Sequence, residues 1–248
     1  MIALLVSALV AHAPAWQTCV PRQIDYLTTG YRIDNDLFAG KHGRSCIRSV
    51  PGGQGANLTI TTSASPQPGG VVKAPSIRVG PWYGSGDPAS IFPLPVAGMP
   101  RIVLHVSVTG HPGGEWLADT DTYGYASVTA VTGNPAVELV IAARWHDYRP
   151  AGGRVRVAGH WWRVARWTTG AGSPMGPHPI IVFTLVRQDP RLREVLPLFI
   201  AYARGRGWWP AGDRVAGNSC LQGEVWSGGR GLRLGLDVTS SLPVIRPG

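Results

Sequence analysis

The chain has little lysine, little acid and few cysteines. Of its 23 basic residues, all but Lys41 and Lys73 are arginine; only 14 residues are acidic, and the formal charge is +9. The arginines are spread through turns and strands and form no single block, which argues against a nucleic-acid partner. The 3 cysteines include no Cys-x-x-Cys pair, and the 7 histidines lack ligand spacing. Neither a metal nor another cofactor is therefore expected. No Gly-x-Ser-x-Gly elbow or phosphate-binding loop occurs, so esterase and nucleotide readings have no support. Beyond the first residues, nothing is apolar for long enough to span a bilayer.

What the chain does have is glycine (33), proline (22) and tryptophan (10) within a 44% hydrophobic composition. Many turns joining short strands predict an all-β fold with one sizeable core. Residues 1–13 read as an apolar stretch ending in Ala11-His12-Ala13, the small-x-small pattern that precedes a secretory cleavage site, although a basic leading segment is missing. The expectation is an exported, extracellular protein with one domain over 14–248 and no membrane contact after processing.

Period-2 alternation marks the strands. Ile102 to Val108 and Leu232 to Val238 alternate, and Trp116 to Tyr125 sends Asp119, Asp121, Tyr123 and Tyr125 to one face. Arg154-Val155-Arg156-Val157 turns at Ala158-Gly159 into His160-Trp161-Trp162-Arg163-Val164, a hairpin signal. One segment is helical in pattern: Asp189 reads as a cap, Pro190 as the first residue, Arg191 to Arg206 as the body and Gly207 as the stop. Pro197 inside that pattern predicts a kink or a delayed start.

Two glutamates interrupt strand-like runs. Glu138 lies in Ala136-Val137-Glu138-Leu139-Val140-Ile141-Ala142, and Glu224 in Leu221-Gln222-Gly223-Glu224-Val225-Trp226. A carboxylate in such a run needs a partner or a task. Alternation puts Glu138 with Val140 and Ala142, and Glu224 with Gln222 and Trp226. On facing strands the two would suit glycosidic bond cleavage, one as nucleophile and one as acid/base. The competing account is an ordinary ion pair with arginine for each.

The run Gly223-Glu224-Val225-Trp226-Ser227-Gly228-Gly229-Arg230-Gly231-Leu232 resembles the acid/base segment of glycoside hydrolase family 12, and Glu138-Leu139-Val140-Ile141 resembles its nucleophile segment. Tyr31 to Phe38 is similar to the family's N-terminal segment, and the likeness runs collinearly over roughly 19–240. It implies a curved two-sheet β-sandwich, a concanavalin-like jelly roll with one helix packed on it. It also implies a Cys19–Cys46 disulfide, Glu138 as nucleophile, Glu224 as acid/base and Asp121 as the aspartate that hydrogen-bonds the nucleophile, with Asp119 the alternative. Asn35, Phe38, Trp82, Tyr83, Tyr123 and Trp226 are the expected substrate contacts. The function implied is a monomeric, secreted, retaining endo-β-1,4-glycanase acting on a β-linked polysaccharide.

The chain also departs from that pattern. Phe38 stands where the family has a sugar-stacking Trp, Val140 and Ala142 replace the Met and Trp beside the nucleophile, and Pro81 and Gly86 replace a cysteine pair. These changes motivate an alternative, a β-sandwich that binds carbohydrate with weakened catalysis.

Overall fold

The computed structural model describes residues 17–20, 24–26, 32–35, 45–49, 55–60, 74–79, 94–97, 102–110, 112–125, 135–148, 150–170, 175–210 and 215–240. Among them the strands run β1 (Gln17–Thr18), β2 (Ile24–Tyr26), β3 (Arg32–Asp34), β4 (Ser45–Ser49), β5 (Gly55–Ile60), β6 (Ser76–Val79), β7 (Leu94–Pro95) and β8 (Ile102–Thr109). They continue as β9 (Trp116–Tyr125), β10 (Val137–His146), β11 (Gly153–Val157), β12 (His160–Thr168), β13 (Pro179–Leu185) and β14 (Glu194–Val195). Helix α1 (Leu196–Gly205) follows, then β15 (Val215–Val225) and β16 (Arg233–Ser240).

Two sheets result. The smaller has the order β1-β4-β5-β16-β8-β14; the larger runs β11-β12-β13-β10-β9-β15-β6-β3-β2, with β7 added to β15. The expected all-β sandwich with one packed helix is the observed architecture. β10 and β13 pair in parallel, and the β11–β12 hairpin makes the crossover between them. That hairpin turns at the residues alternation indicated. Val157 faces His160, and Ala158 and Gly159 both take positive φ (52° and 84°), as a two-residue turn that matches strand twist requires.

Alternation divides the larger sheet into two faces. Val137, Leu139 and Ile141 of β10 join Ile181, Phe183 and Leu185 of β13, Trp162 and Val164 of β12, and Leu196, Phe199, Ile200 and Ala203 of α1 in the main core. Burying each larger apolar side chain contributes about 1.5–3 kcal/mol. The opposite face carries a separate apolar cluster of Leu117, Val140, Ala142, Ile180 and Val182, with Trp145, Tyr148 and Trp226 packed against it.

The helix starts later than the Asp189 reading. Asp189 closes a local turn: its Oδ1 accepts the Arg191 N–H at 2.8 Å and its carbonyl accepts the Leu192 N–H at 3.2 Å. Glu194 and Val195 then extend along β8. Pro197 explains the delay, because it lacks an N–H and fits only the first turn of a helix, where it sits. Past the helix end Gly207 takes φ 67°, and the Trp208 N–H closes on the Ala203 carbonyl at 2.9 Å.

The Cys19–Cys46 disulfide is present and joins β1 to β4. No helix among the described residues is long and apolar enough to cross a membrane.

Candidate active site

β9 is the axis of the site. It pairs with β10 on one side, where Tyr123 faces Glu138, Asp121 faces Val140 and Asp119 faces Ala142. On its other side β15 sets Cys220 opposite Asp121, Gln222 opposite Asp119 and Glu224 opposite Leu117. Side chains alternate along a strand, so Glu138, Asp121, Asp119 and Glu224 share the face opposite the main core. They form a diagonal across β10, β9 and β15, with apolar Val140, Ala142 and Leu117 between them.

The end of β15 is held by backbone contact. The Trp226 N–H bonds the Glu115 carbonyl at 2.9 Å, and the Gly229 N–H bonds that of Gly113 at 2.8 Å. A Cβ on Gly114 would lie 2.2 Å from the Ser227 carbonyl oxygen, and one on Gly228 would lie 2.7 Å from that of Gly113. Both glycines also have positive φ (95° and 64°), so close approach and conformation make the same demand. The Gly-Gly turn after Glu224 thereby locks the strand that presents it. Beside it, the Trp226 ring stacks on Tyr148 with centroids 5.1 Å apart.

The four carboxyls are not equivalent. Burial and then the negative charge of Glu138 push Glu224 up to about 8, against a smaller opposing pull from Arg78. Asp121 is raised by burial and by Glu138, although its Oδ2 accepts the Tyr123 hydroxyl at 2.5 Å. Asp119 is raised by burial, by Glu224 and by Asp121, against the hydrogen bond it accepts from Gln222 at 3.3 Å. Oδ1 of Asp119 and Oδ1 of Asp121 are buried and have no hydrogen-bond partner among the described residues.

Glu138 has a partner that sequence reasoning missed. Its Oε2 lies 2.7 Å from Nε2 of His178, and the two side chains are 14% and 1% exposed. Asp121, the aspartate expected beside this glutamate, has its own carboxyl raised by the charge of Glu138. The only sequence signal was a lone histidine between Pro177 and Pro179, two residues before Ile180, which faces Glu138 across the parallel pairing.

The remaining expected contacts divide. Tyr123 and Trp226 lie on this face. Asn35 does not serve it: fully buried, it donates to the Val20 and Ser45 carbonyls at 3.0 Å each and accepts the Ser45 hydroxyl at 2.6 Å. Its amide ties β4 to the chain beside the disulfide. Phe38, Trp82 and Tyr83 lie outside the described residues. Of the hairpin tryptophans, Trp162 is core, edge-on to Phe199 at 4.9 Å, whereas Trp161 and Trp167 are exposed. A cavity of about 620 Å³ lined by Arg154, Trp161, Arg187, Gln188 and Asp189 lies at the β11–β12 turn and the end of β13, away from Glu138, Asp121, Asp119 and Glu224. Among the described residues no group of three or more His, Cys, Asp or Glu side chains could hold a metal ion.

Fold and site together define a β-jelly-roll sandwich with a row of acids on one face of its larger sheet. No protein-family model and no curated protein sequence matches the chain. Solved structures do. A metagenome-derived glycoside hydrolase family 12 endoglucanase is similar over 92% of this chain and 98% of its own, at 24% identity and TM-score 0.72. An endoglucanase from Rhodothermus marinus is similar over 91% and 99%, at 24% identity and TM-score 0.71. A family 12 xyloglucanase from Bacillus licheniformis is similar over 91% and 100%, at 18% identity and TM-score 0.74. Over 91–92% of its length the chain shares the fold of these enzymes.

Proposed function

We propose that this protein is a glycoside hydrolase of the family 12 type, a secreted, monomeric, retaining endo-β-1,4-glycanase. One observation carries the reading. Two glutamates stand on strands either side of β9, and burial together with the charge of Glu138 pushes Glu224 up to about 8. A glycosidase needs that division of labour. Glu138 attacks the anomeric carbon as Glu224 protonates the leaving oxygen; Glu224 then takes a proton from the water that releases the glycosyl-enzyme. The Tyr148–Trp226 stack offers an aromatic surface for a pyranose ring.

A second reading, binding with weakened catalysis, is favoured by Val140 and Ala142, which share the face of Glu138 and depart from the family pattern beside the nucleophile.

Incubation with cellulose, mixed-linkage glucan and xyloglucan, measuring new reducing ends and the first-formed anomer by NMR, separates the readings. The β anomer formed first is the expected result. The α anomer first would replace retention by inversion, and binding without product would leave only the carbohydrate-binding reading.

A further inference from the structure

We infer that His178 is a positioning residue that holds Glu138 as one half of an imidazolium–carboxylate pair and decides which of the two glutamates carries the proton. The inference rests on the reading of Glu138 as nucleophile. Its ground is the arrangement of the imidazole ring. Nε2 meets Glu138 Oε2 at 2.7 Å, and Nδ1 meets the Gly176 carbonyl oxygen at 2.7 Å. A carbonyl and a carboxylate oxygen only accept hydrogen bonds. A neutral imidazole has one N–H, so one of these contacts would set two lone pairs against each other. With both nitrogens protonated, both contacts are satisfied.

The ring cannot readily turn away. His178 is almost fully buried, its N–H is bound by the Thr169 hydroxyl at 2.9 Å and its carbonyl by the Thr169 N–H at 2.8 Å. The Tyr123 ring meets it edge-on, with centroids 6.5 Å apart.

The groups facing this pair come from several elements. β10 supplies Glu138; β9 supplies Asp121, Tyr123 and Tyr125; Thr169 and the Gly176 carbonyl flank the ring from the chain between β12 and β13. Glu224 on β15 and Arg78 on β6 act through the diagonal of acids. Burial by itself would lower the basicity of His178, but its bonds to Glu138 and Gly176 and the charge of Glu138 more than offset this. The functional consequence follows from electrostatics. Where two carboxyls repel, one keeps a proton, and a fixed cation beside Glu138 assigns that proton to Glu224. Without the cation, nothing beside Glu138 among the described residues favours its charged form over that of Glu224.

Two measurements test this. In protein labelled with ¹⁵N-histidine, the His178 ring nitrogens at pH 6 should both carry protons, and Glu138→Gln should lower the His178 midpoint by about one unit or more. A neutral ring at pH 6, or an unmoved midpoint, overturns the inference whether or not the protein hydrolyses anything. In the pH profile of kcat/KM, His178→Ala should move the acid limb up by about one unit, a tenfold loss below it, with His178→Gln between the two because it keeps a donor without the charge. An unchanged acid limb in a folded variant also overturns it. A protein with the doubly protonated ring but no hydrolysis would overturn the proposed function and leave the pair standing.

Discussion

Glu194 and Glu224 are both displaced upward, in different circumstances. Each is pushed up to about 8, with burial the largest cause. Glu194, on β14, accepts the Thr120 hydroxyl at 2.8 Å and an N–H from Ala143, with the Arg144 charge nearby. It joins the edge of the smaller sheet to the inner face of the larger one, so its surroundings stabilise a fold contact. Glu224 takes its second push from another carboxylate, on a face lined by acids and aromatics. A displaced carboxyl is thus no signature of catalysis by itself. What separates the two is the second influence after burial: a hydroxyl bond from Thr120 for Glu194, the charge of Glu138 for Glu224.

Neutral substitution is the sharpest way to break that comparison. Glu224→Gln should cut hydrolysis of a soluble β-glucan by about 10²–10⁴-fold, with an unchanged circular dichroism spectrum. Glu194→Gln should keep kcat within a few-fold. Equal losses in both variants would erase the distinction between the two glutamates.

The second effect is on stability. For both glutamates the folded state holds the proton more tightly than the unfolded chain, which releases it near 4.5. Between that value and about 8 the folded state binds more protons, so stability falls as pH rises. His178, also raised, contributes in the same direction: its share is complete below about 6.5 and fades as pH climbs through its folded value. The melting temperature should therefore be higher at pH 5 than at pH 8, and Glu194→Gln should flatten the slope and raise the pH 8 value by about 2–4 °C or more. A melting temperature rising over this interval would contradict the assignment.

The smallest effect concerns the aromatic rim. Trp226→Ala removes the stack on Tyr148, a contact worth about 0.5–1.5 kcal/mol. KM should rise a few-fold, with kcat held nearly constant; a collapse of kcat would place Trp226 in the chemistry.

Sequence reasoning succeeded where local chemistry decides the outcome. Alternation located β9 over Trp116 to Tyr125 and put its acids on one face, and the Ala158-Gly159 turn emerged at its stated position. It failed where a distant contact decides. Helical spacing after Asp189 lost to pairing of Glu194 with Leu104 on β8, although Pro197 had signalled the delayed start that the helix shows. His178 was invisible because parallel pairing with β10 brings it to Glu138 from 40 positions away. Asn35 resembled a ligand contact, but its amide is spent on backbone carbonyls that local pattern could not foresee.

The central claim is that Glu138 is the nucleophile and Glu224 its acid partner. The most direct measurement is to treat the protein with a 2-deoxy-2-fluoro β-glycoside bearing a good leaving group, then map the labelled peptide by mass spectrometry. A covalent sugar on Glu138 is the predicted result. A sugar on Glu224 or Asp121, or hydrolysis of the probe with no covalent species formed, would contradict it.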